Sequence, residues 1–326
     1  MNVSTAFQAL LTLAPVVLAI NPAHAQSVSE PLPCRTVSIV APFPPGSTTD
    51  TIARALSTKL STDLGRAVVI ENKPGAEGQL AATDVMRSPP NGCRLLFATS
   101  GNLSVAPQLR TPPPYDPRRD FTAIADVGRY TYILYVRQQF PANTFSEFIA
   151  AAKAAPGRYT YGTGSNTNFL AFGYIGQLTG TELQRVPYRG EPPAFTDLIG
   201  GQIDAIVATT MGVPFVRDHK LKALAVMSRE RSPLLPEVPT FAEAGLKNFD
   251  IVPWAGIVGP AKMEPATVTF LTAALNRALS DPAVHSAAAR AGFLLTPSTQ
   301  EQFKALIAEQ HTVYGEKVRQ LGLTAE

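Results

Sequence analysis

The sequence predicts an α/β protein built on mostly parallel sheets. Short apolar runs alternate with helix-period patterns along most of the chain, as strand–helix–strand units require. Helix-start signals recur at Ser47-x-x-Asp50, Thr144-x-x-Glu147, Thr240-x-x-Glu243 and Ser298-x-x-Glu301. Each precedes a helical run, and Pro156-Gly157 and Gly245 mark two of the ends.

The chain opens on residues 1 to 26, which hold no Asp, Glu, Lys or Arg. An apolar run, Leu10 to Ile20, leads to the small-x-small triplet Ala23-His24-Ala25. Residues 1–25 therefore read as a secretory signal peptide, with the mature chain starting at Gln26. The run is short for a bilayer span, and no Cys follows the cut to carry a lipid.

Strands are expected at 36–41, 67–71, 94–98, 131–136, 159–161, 184–186, 203–208 and 222–227, with helices between them. Thr51 to Leu64 places Ile52, Leu56, Leu60 and Leu64 on one helical stripe. After residue 260 the pattern turns to helices alone, at 264–279, 282–290 and 299–320. The 326 residues suit two domains of ordinary size, and 45% apolar content suffices for a sizeable core. No flexible linker separates two halves, so the chain is expected to cross between them more than once.

Composition removes several functions. The net charge of +3 is scattered, which argues against a nucleic-acid surface. His24 leaves with the signal, and His219, His285 and His311 have no ligand spacing, so no metal is expected. "PPGSTTD" lacks the Lys of a phosphate-binding loop. "YGTGSNTNF" has Thr167 where a dinucleotide fingerprint needs its third glycine, so no cofactor is expected either. The sequence G-x-S-x-G does not occur, and no nucleophile or acid/base pair has catalytic spacing. An enzyme is not expected. Cys34 and Cys93, the only cysteines, each sit just before an apolar run. If those strands are parallel neighbours a disulfide is feasible; otherwise both are buried thiols.

What remains is a set of polar, uncharged turns after strands: "PPGSTTD", "TSGN", "TGSNTN" and "ATT". In an open parallel sheet, ligands bind at the carboxyl ends of strands. Helix N-termini there offer free amides and a positive dipole end, which suit an anion. Any one such turn reads as a helix cap. Four together point to a shared pocket, and the turn at 45–50 is suited to hold a carboxylate.

From Arg35 onward the chain resembles the solute-binding proteins of tripartite tricarboxylate transporters, the Bug family. "VSIVAPFPPGSTTDTIARAL", "LGRAVVIENKPGAEGQLAA", "YDPRRDFTAIA", "VPYRGEPPAFTDLIGGQIDAIV", "LKALAVMSRERSPLLPEVPTFAEAGL" and "WAGIVGPA" follow in family order. The resemblance implies a two-lobed type II periplasmic binding protein with a ligand cleft between lobes and hinge closure. Lobe one would comprise 26–127 and 253–326, and lobe two 128–252. It implies a monomeric periplasmic protein that captures a small organic acid for membrane permease subunits. A sensor kinase as the reader of the loaded form is the alternative. An exported hydrolase or lyase is the alternative of another class, and it lacks a catalytic constellation.

Carried over motif by motif, the ligand-binding residues fall on Phe43, Pro45, Ser47, Thr48 and Asp50, then on Ser100, Gly101 and Asn102. The second lobe would add Thr163, Ser165 and Asn166, with Tyr188, Asp204 and Thr209 nearby. Trp254 is placed on the cleft wall, with packing under a returning strand as its other reading. Asp50 doubles as a capping acid, and Arg189 reaches either the ligand or an acid such as Glu191. The chain departs from the family pattern at Ser47 (usually glycine), Phe169 (usually histidine), Ala106-Pro107 and Thr209, and in a shorter loop from Tyr161 to Leu170. These departures lie in or near the pocket, so the ligand need not be that of any relative.

Overall fold

The structure, a computed structural model, describes Met1, residues 32–249 and residues 251–324. The expected signal peptide therefore lies outside the described residues, Met1 excepted. The chain divides into two units, Met1–Glu30 and Pro31–Glu326, and every element below belongs to the second.

In chain order the first elements are β1 (Thr36–Ala41), α1 (Thr48–Leu64), β2 (Ala67–Asn72), α2 (Gln79–Met86) and β3 (Arg94–Thr99). Then come β4 (Phe121–Tyr130), β5 (Tyr132–Arg137), α3 (Phe145–Ala154), β6 (Thr160–Thr163) and α4 (Asn166–Thr179). Next are β7 (Gln184–Pro187), α5 (Glu191–Ile199), β8 (Ala205–Thr209), α6 (Val213–Arg217) and β9 (Leu221–Val226). The last are β10 (Trp254–Pro260), α7 (Pro265–Leu279), α8 (Pro282–Arg290), β11 (Phe293–Leu295) and α9 (Gln300–Gln320).

Two sheets result. One has the order β11-β4-β10-β3-β1-β2 and the other β7-β6-β8-β5-β9. The parallel expectation holds for β2-β1-β3 and β7-β6-β8. The strands that carry the chain between sheets pair antiparallel: β10 with β3 and β4, β5 with β8 and β9, and β11 with β4. The sheets are thus mixed, because a strand returning from the other half enters from the opposite end. The chain leaves the first sheet at Tyr130 and enters the second at Tyr132, and it returns between β9 and β10.

β1 shows why the parallel part forms. Val37, Ile39, Val40 and Ala41 are all buried, so both faces are covered, as in a parallel sheet flanked by helices. Ile39 packs with Ile52, Leu56 and Phe97, whereas Val40 faces Leu96, Trp254 and Phe303 on the other side. α1 starts at the N-cap Ser47 and stops at Gly65, whose left-handed backbone (φ 60°) suits glycine. Tyr135, Phe195 and Ile206 anchor a cluster of the second sheet.

Cys34 and Cys93 form a disulfide ahead of β1 and β3, which are parallel neighbours. Two expected starts move. Thr240 and Glu243 cap each other, but only a turn follows, ended by Gly245 at φ 96°. The last helix is capped by Thr299 with Gln302, one residue beyond the expected pair. Among the described residues no helix is long and apolar enough to cross a membrane.

Candidate functional site

Turns at the ends of five strands, drawn from both sheets, enclose a cavity of about 20 Å³. That is room for roughly one water. The turn after β1 contributes Phe43, Ser47, Thr48 and Thr49, and the turn after β3 contributes Thr99 and Ser100. From the second sheet come Gly164, Ser165 and Thr167 after β6, Glu191 after β7 and Thr209 at the end of β8. Tyr130 and Tyr132, at the crossing between sheets, complete the wall. Among the described residues, no Lys, Arg or His lines it.

Each turn is shaped by its own hydrogen bonds. Ser47 Oγ accepts from the Asp50 amide at 3.2 Å, while the Asp50 carboxylate accepts from the Gly46 amide, Arg54 and Asn72. These donors hold its carboxyl below the usual range against the opposing effect of burial. Asp50 is therefore the capping acid and faces away from the cavity. The first amides of α1 and α4 have no partner within their helices, so both N-termini bring donors and positive dipole ends to the cavity. Ser165 caps α4 and its hydroxyl donates to Asn168 Oδ1 at 2.8 Å.

The two halves touch across the cavity. Thr48 Oγ1 donates to Thr209 Oγ1 at 2.9 Å, and Ser100 and Thr167 share a hydrogen bond of 3.1 Å. Asn166 Nδ2 donates to the Gly101 carbonyl at 3.4 Å. Gly190, at φ 115°, lies so close to Pro44 that a Cβ there would fall 2.6 Å from the proline ring. Farther out, Arg185 on β7 pairs with Glu77, which follows β2. Ala76 and Glu77 both hold left-handed backbones, at φ 44° and 53°, which is costly without glycine.

Glu191 is the residue that sequence reasoning missed. It begins α5, is buried, and lines the cavity. Its carboxylate accepts from the Thr209 amide at 3.1 and 3.2 Å, from Thr209 Oγ1 at 2.5 Å, and from Asn168 Nδ2 at 3.5 Å. Burial pushes its carboxyl up to about 6, against the lowering effect of those donors. No ion pair joins it to Arg189 among the described residues, and Arg189 is exposed. The signal available in the sequence was an acid between Gly190 and two prolines at a helix start. Tyr130, Tyr132, Thr49, Thr99, Gly164 and Thr167 were likewise not expected.

Of the expected ligand residues, Phe43, Ser47, Thr48, Ser100, Ser165 and Thr209 line the cavity. Gly101 and Asn166 meet at its edge. The remaining ones are placed elsewhere. Pro45 is exposed on the loop. Asn102 caps the turn behind Ser100, its Oδ1 accepting from the Thr99 amide at 2.8 Å. Thr163 accepts from Arg185 Nε at 3.0 Å. Tyr188 donates to Asp197 at 2.7 Å and packs under α5. Asp204 sits before β8, at the opposite end of that strand from Thr209, and binds Arg137 and the Thr160 amide. Trp254 is fully buried against Phe303 of α9, so the packing reading of that residue is the right one.

With the geometry in view, comparison with known proteins is specific. Residues 52–323 match the model of the "Tripartite tricarboxylate transporter family receptor". Protein BugT of Bordetella pertussis is 32% identical over 296 residues, covering 89% of this chain and 90% of BugT. The periplasmic binding protein BugD superposes with a TM-score of 0.85 at 30% identity, over 90% of this chain and all of BugD (100%). MatC of Rhodopseudomonas palustris, solved with bound malate, gives 0.82 at 31% identity, over 88% of this chain and 100% of MatC.

Proposed function

Because this chain belongs to the tripartite tricarboxylate transporter receptor family, we propose that its solute is a small organic acid, captured between the lobes in the periplasm. Export by residues 1–25 and delivery to membrane permease subunits are part of this reading. The lobes would comprise 26–127 with 253–326, and 128–252. The observation that carries it is a cavity walled by hydroxyls and helix-start amides, with no Lys, Arg or His among the described residues that line it. Such donors hold an anion by charge-assisted hydrogen bonds, worth about 1.5–3 kcal/mol each. The carboxylate would lie against Ser47 and the first amides of α1, with Ser100 and Ser165 closing from the other turns. MatC, a relative of similar fold, was solved with malate, a small carboxylic acid. Since the cavity measures about 20 Å³, room for roughly one water, an acid held there keeps the two halves farther apart than they stand in this structure.

A thermal-shift screen of small carboxylates on the mature protein tests this, because a ligand that binds only the folded state raises its stability. The hit is then titrated against Ser47→Ala and Thr48→Val, with folded stability measured alongside to separate loss of the cap. Ser47→Ala is expected to weaken binding roughly ten-fold if its hydroxyl meets the ligand, and Thr48→Val tests the neighbouring hydroxyl, which donates to Thr209, while preserving shape. Unchanged affinity in both, with binding abolished in a folded Arg189→Ala protein, would refute a site free of cationic side chains.

A further inference from the structure

A second hollow, of about 310 Å³, opens where the end of α8 meets α6 and the turn after β8. α8 packs beside β11 of the first sheet and α6 beside β9 of the second. A tight seam joins the two sides. Thr210 Oγ1 donates to the Ala291 carbonyl. Gly292, at φ 56°, lies so close that a Cβ there would fall 2.5 Å from the Thr210 methyl and 2.8 Å from Leu234. Met211, Pro214 and Leu234 leave apolar surface in the hollow, and the exposed Arg217 of α6 and Arg290 of α8 line it too. Among the described residues neither arginine pairs with an acid, and no acid lines the hollow. Arg217 donates to the Leu234 carbonyl at 3.0 Å and Arg290 to Ser286 Oγ at 2.5 Å, so each meets a neutral partner and keeps donors of its five in reserve. Asp218, next to Arg217, pairs with Lys220 at 3.7 Å. Other guanidiniums are matched, Arg94 by Glu71 and Asp84, and Arg137 by Asp204. A basic residue in a last helical turn ordinarily answers the helix dipole, but neither guanidinium bonds a carbonyl at its own helix end.

We propose that this hollow docks an acidic, apolar segment of a partner protein, its carboxylates meeting Arg217 and Arg290 and its apolar side chains covering Met211, Pro214 and Leu234. The inference rests on the delivery reading above and adds the face and the chemistry of the partner. Charge complementarity carries it. A guanidinium holds a carboxylate by two parallel hydrogen bonds, and arginine and methionine are enriched where proteins meet. A segment seated here touches both halves.

The probes are end-capped octapeptides that alternate leucine with glutamate, glutamine or lysine, followed by fluorescence anisotropy on the mature protein. The glutamate peptide should bind more tightly than the other two, and added salt should weaken it. Arg217→Gln with Arg290→Gln should lower its affinity roughly ten-fold. Arg217→Glu with Arg290→Glu should reverse the preference toward the lysine peptide. Both positions are exposed, and thermal melts check that the variants fold. Equal binding of the glutamine peptide overturns the inference, as does a folded double glutamine variant that binds the glutamate peptide like wild type. Binding to phosphatidylglycerol vesicles through the same arginines, without peptide binding, overturns it in favour of a lipid surface. Self-association lost in the double variant, without peptide binding, overturns it in favour of a second copy. Each of these failures leaves the carboxylate reading standing, since neither arginine lines the cavity.

Discussion

Replacing Arg185 with methionine should weaken ligand binding from outside the cavity. Arg185 and Glu77 pair across the two halves, with side chains 14% and 13% exposed. Exposed ion pairs are worth under about 1 kcal/mol, but hydrogen bonds to charged groups at dried sites reach about 1.5–3 kcal/mol. Low exposure puts this pair in the upper range. Arg185 has two further contacts, a 3.0 Å hydrogen bond from Nε to Thr163 and a guanidinium 3.9 Å from the Phe169 ring centroid. Both partners follow or end β6, in the same half as Arg185, so these contacts persist when the lobes part. Only the Glu77 contact depends on closure. If closure is the binding-competent state, loss of the pair lowers its population, and apparent affinity falls in proportion. The ceiling is the pair energy, roughly ten- to hundred-fold. Calorimetry on Glu77→Gln, Arg185→Met and the double variant gives a double-mutant cycle. The expected coupling is about 1.5–3 kcal/mol, with the singles and the double equally weakened. Effects that add, with coupling under about 0.5 kcal/mol, would sink the argument that this pair senses closure.

Glu191 should leave a pH signature. Its folded value of about 6 lies above the ordinary 4.5, so the folded state binds more protons between those values. Its contribution is full below pH 4.5 and is lost as pH rises through 6, on the order of 2 kcal/mol. Asp50, Glu71 and Asp84 are held low and act in the opposite sense at acid pH, so the readout is wild type minus Glu191→Gln in urea unfolding. A difference that stays flat across that window refutes the burial effect. Asp204→Ala should cost about 1.5–3 kcal/mol of stability through Arg137 and Thr160, with ligand affinity unchanged; a selective loss of affinity would return Asp204 to the site. Thiol titration of the unreduced, denatured protein should find no free thiol, and reduction should cost roughly 4 kcal/mol for a loop this long; two free thiols exclude the Cys34–Cys93 bond.

The sequence was most legible where local chemistry decides structure. β1, α1 and the Ser47 cap follow from an apolar run, a helical stripe and a hydroxyl at the boundary. β4, β10 and β11 were harder to read. β4 carries the buried Asp126, satisfied by a two-pronged pairing with Arg129 at 2.7 and 2.8 Å, and no local pattern announces such a partner. β10 meets β4 with two register shifts, so its alternation is broken. In the site, the turns were found because Ser and Thr after a strand are a local signal. Glu191 was not, since its partner Thr209 lies eighteen residues away while Arg189 beside it offered a nearer explanation. Trp254 and Asp204 were misplaced for a related reason: residue type suggests a cleft, but strand register decides which end of the sheet a side chain serves.

One residue, Thr131, separates β4 from β5, and Tyr130 and Tyr132 on either side both line the cavity. Any rotation of one half against the other has this crossing beside its fulcrum. A solute there works on a short lever arm, and its contacts with the tyrosines shift little as the halves swing. β2, the strand next to Glu77, lies four strand spacings from β4, roughly 19 Å away. β7, which carries Arg185, lies three from β5, roughly 14 Å. The same angle therefore sweeps the β2 and β7 rims through a far larger arc than it moves the solute. Spin labels on those rims should report a greater distance change on binding than labels flanking Thr131. A membrane partner that grips the rims would read a small molecular grasp as a large displacement.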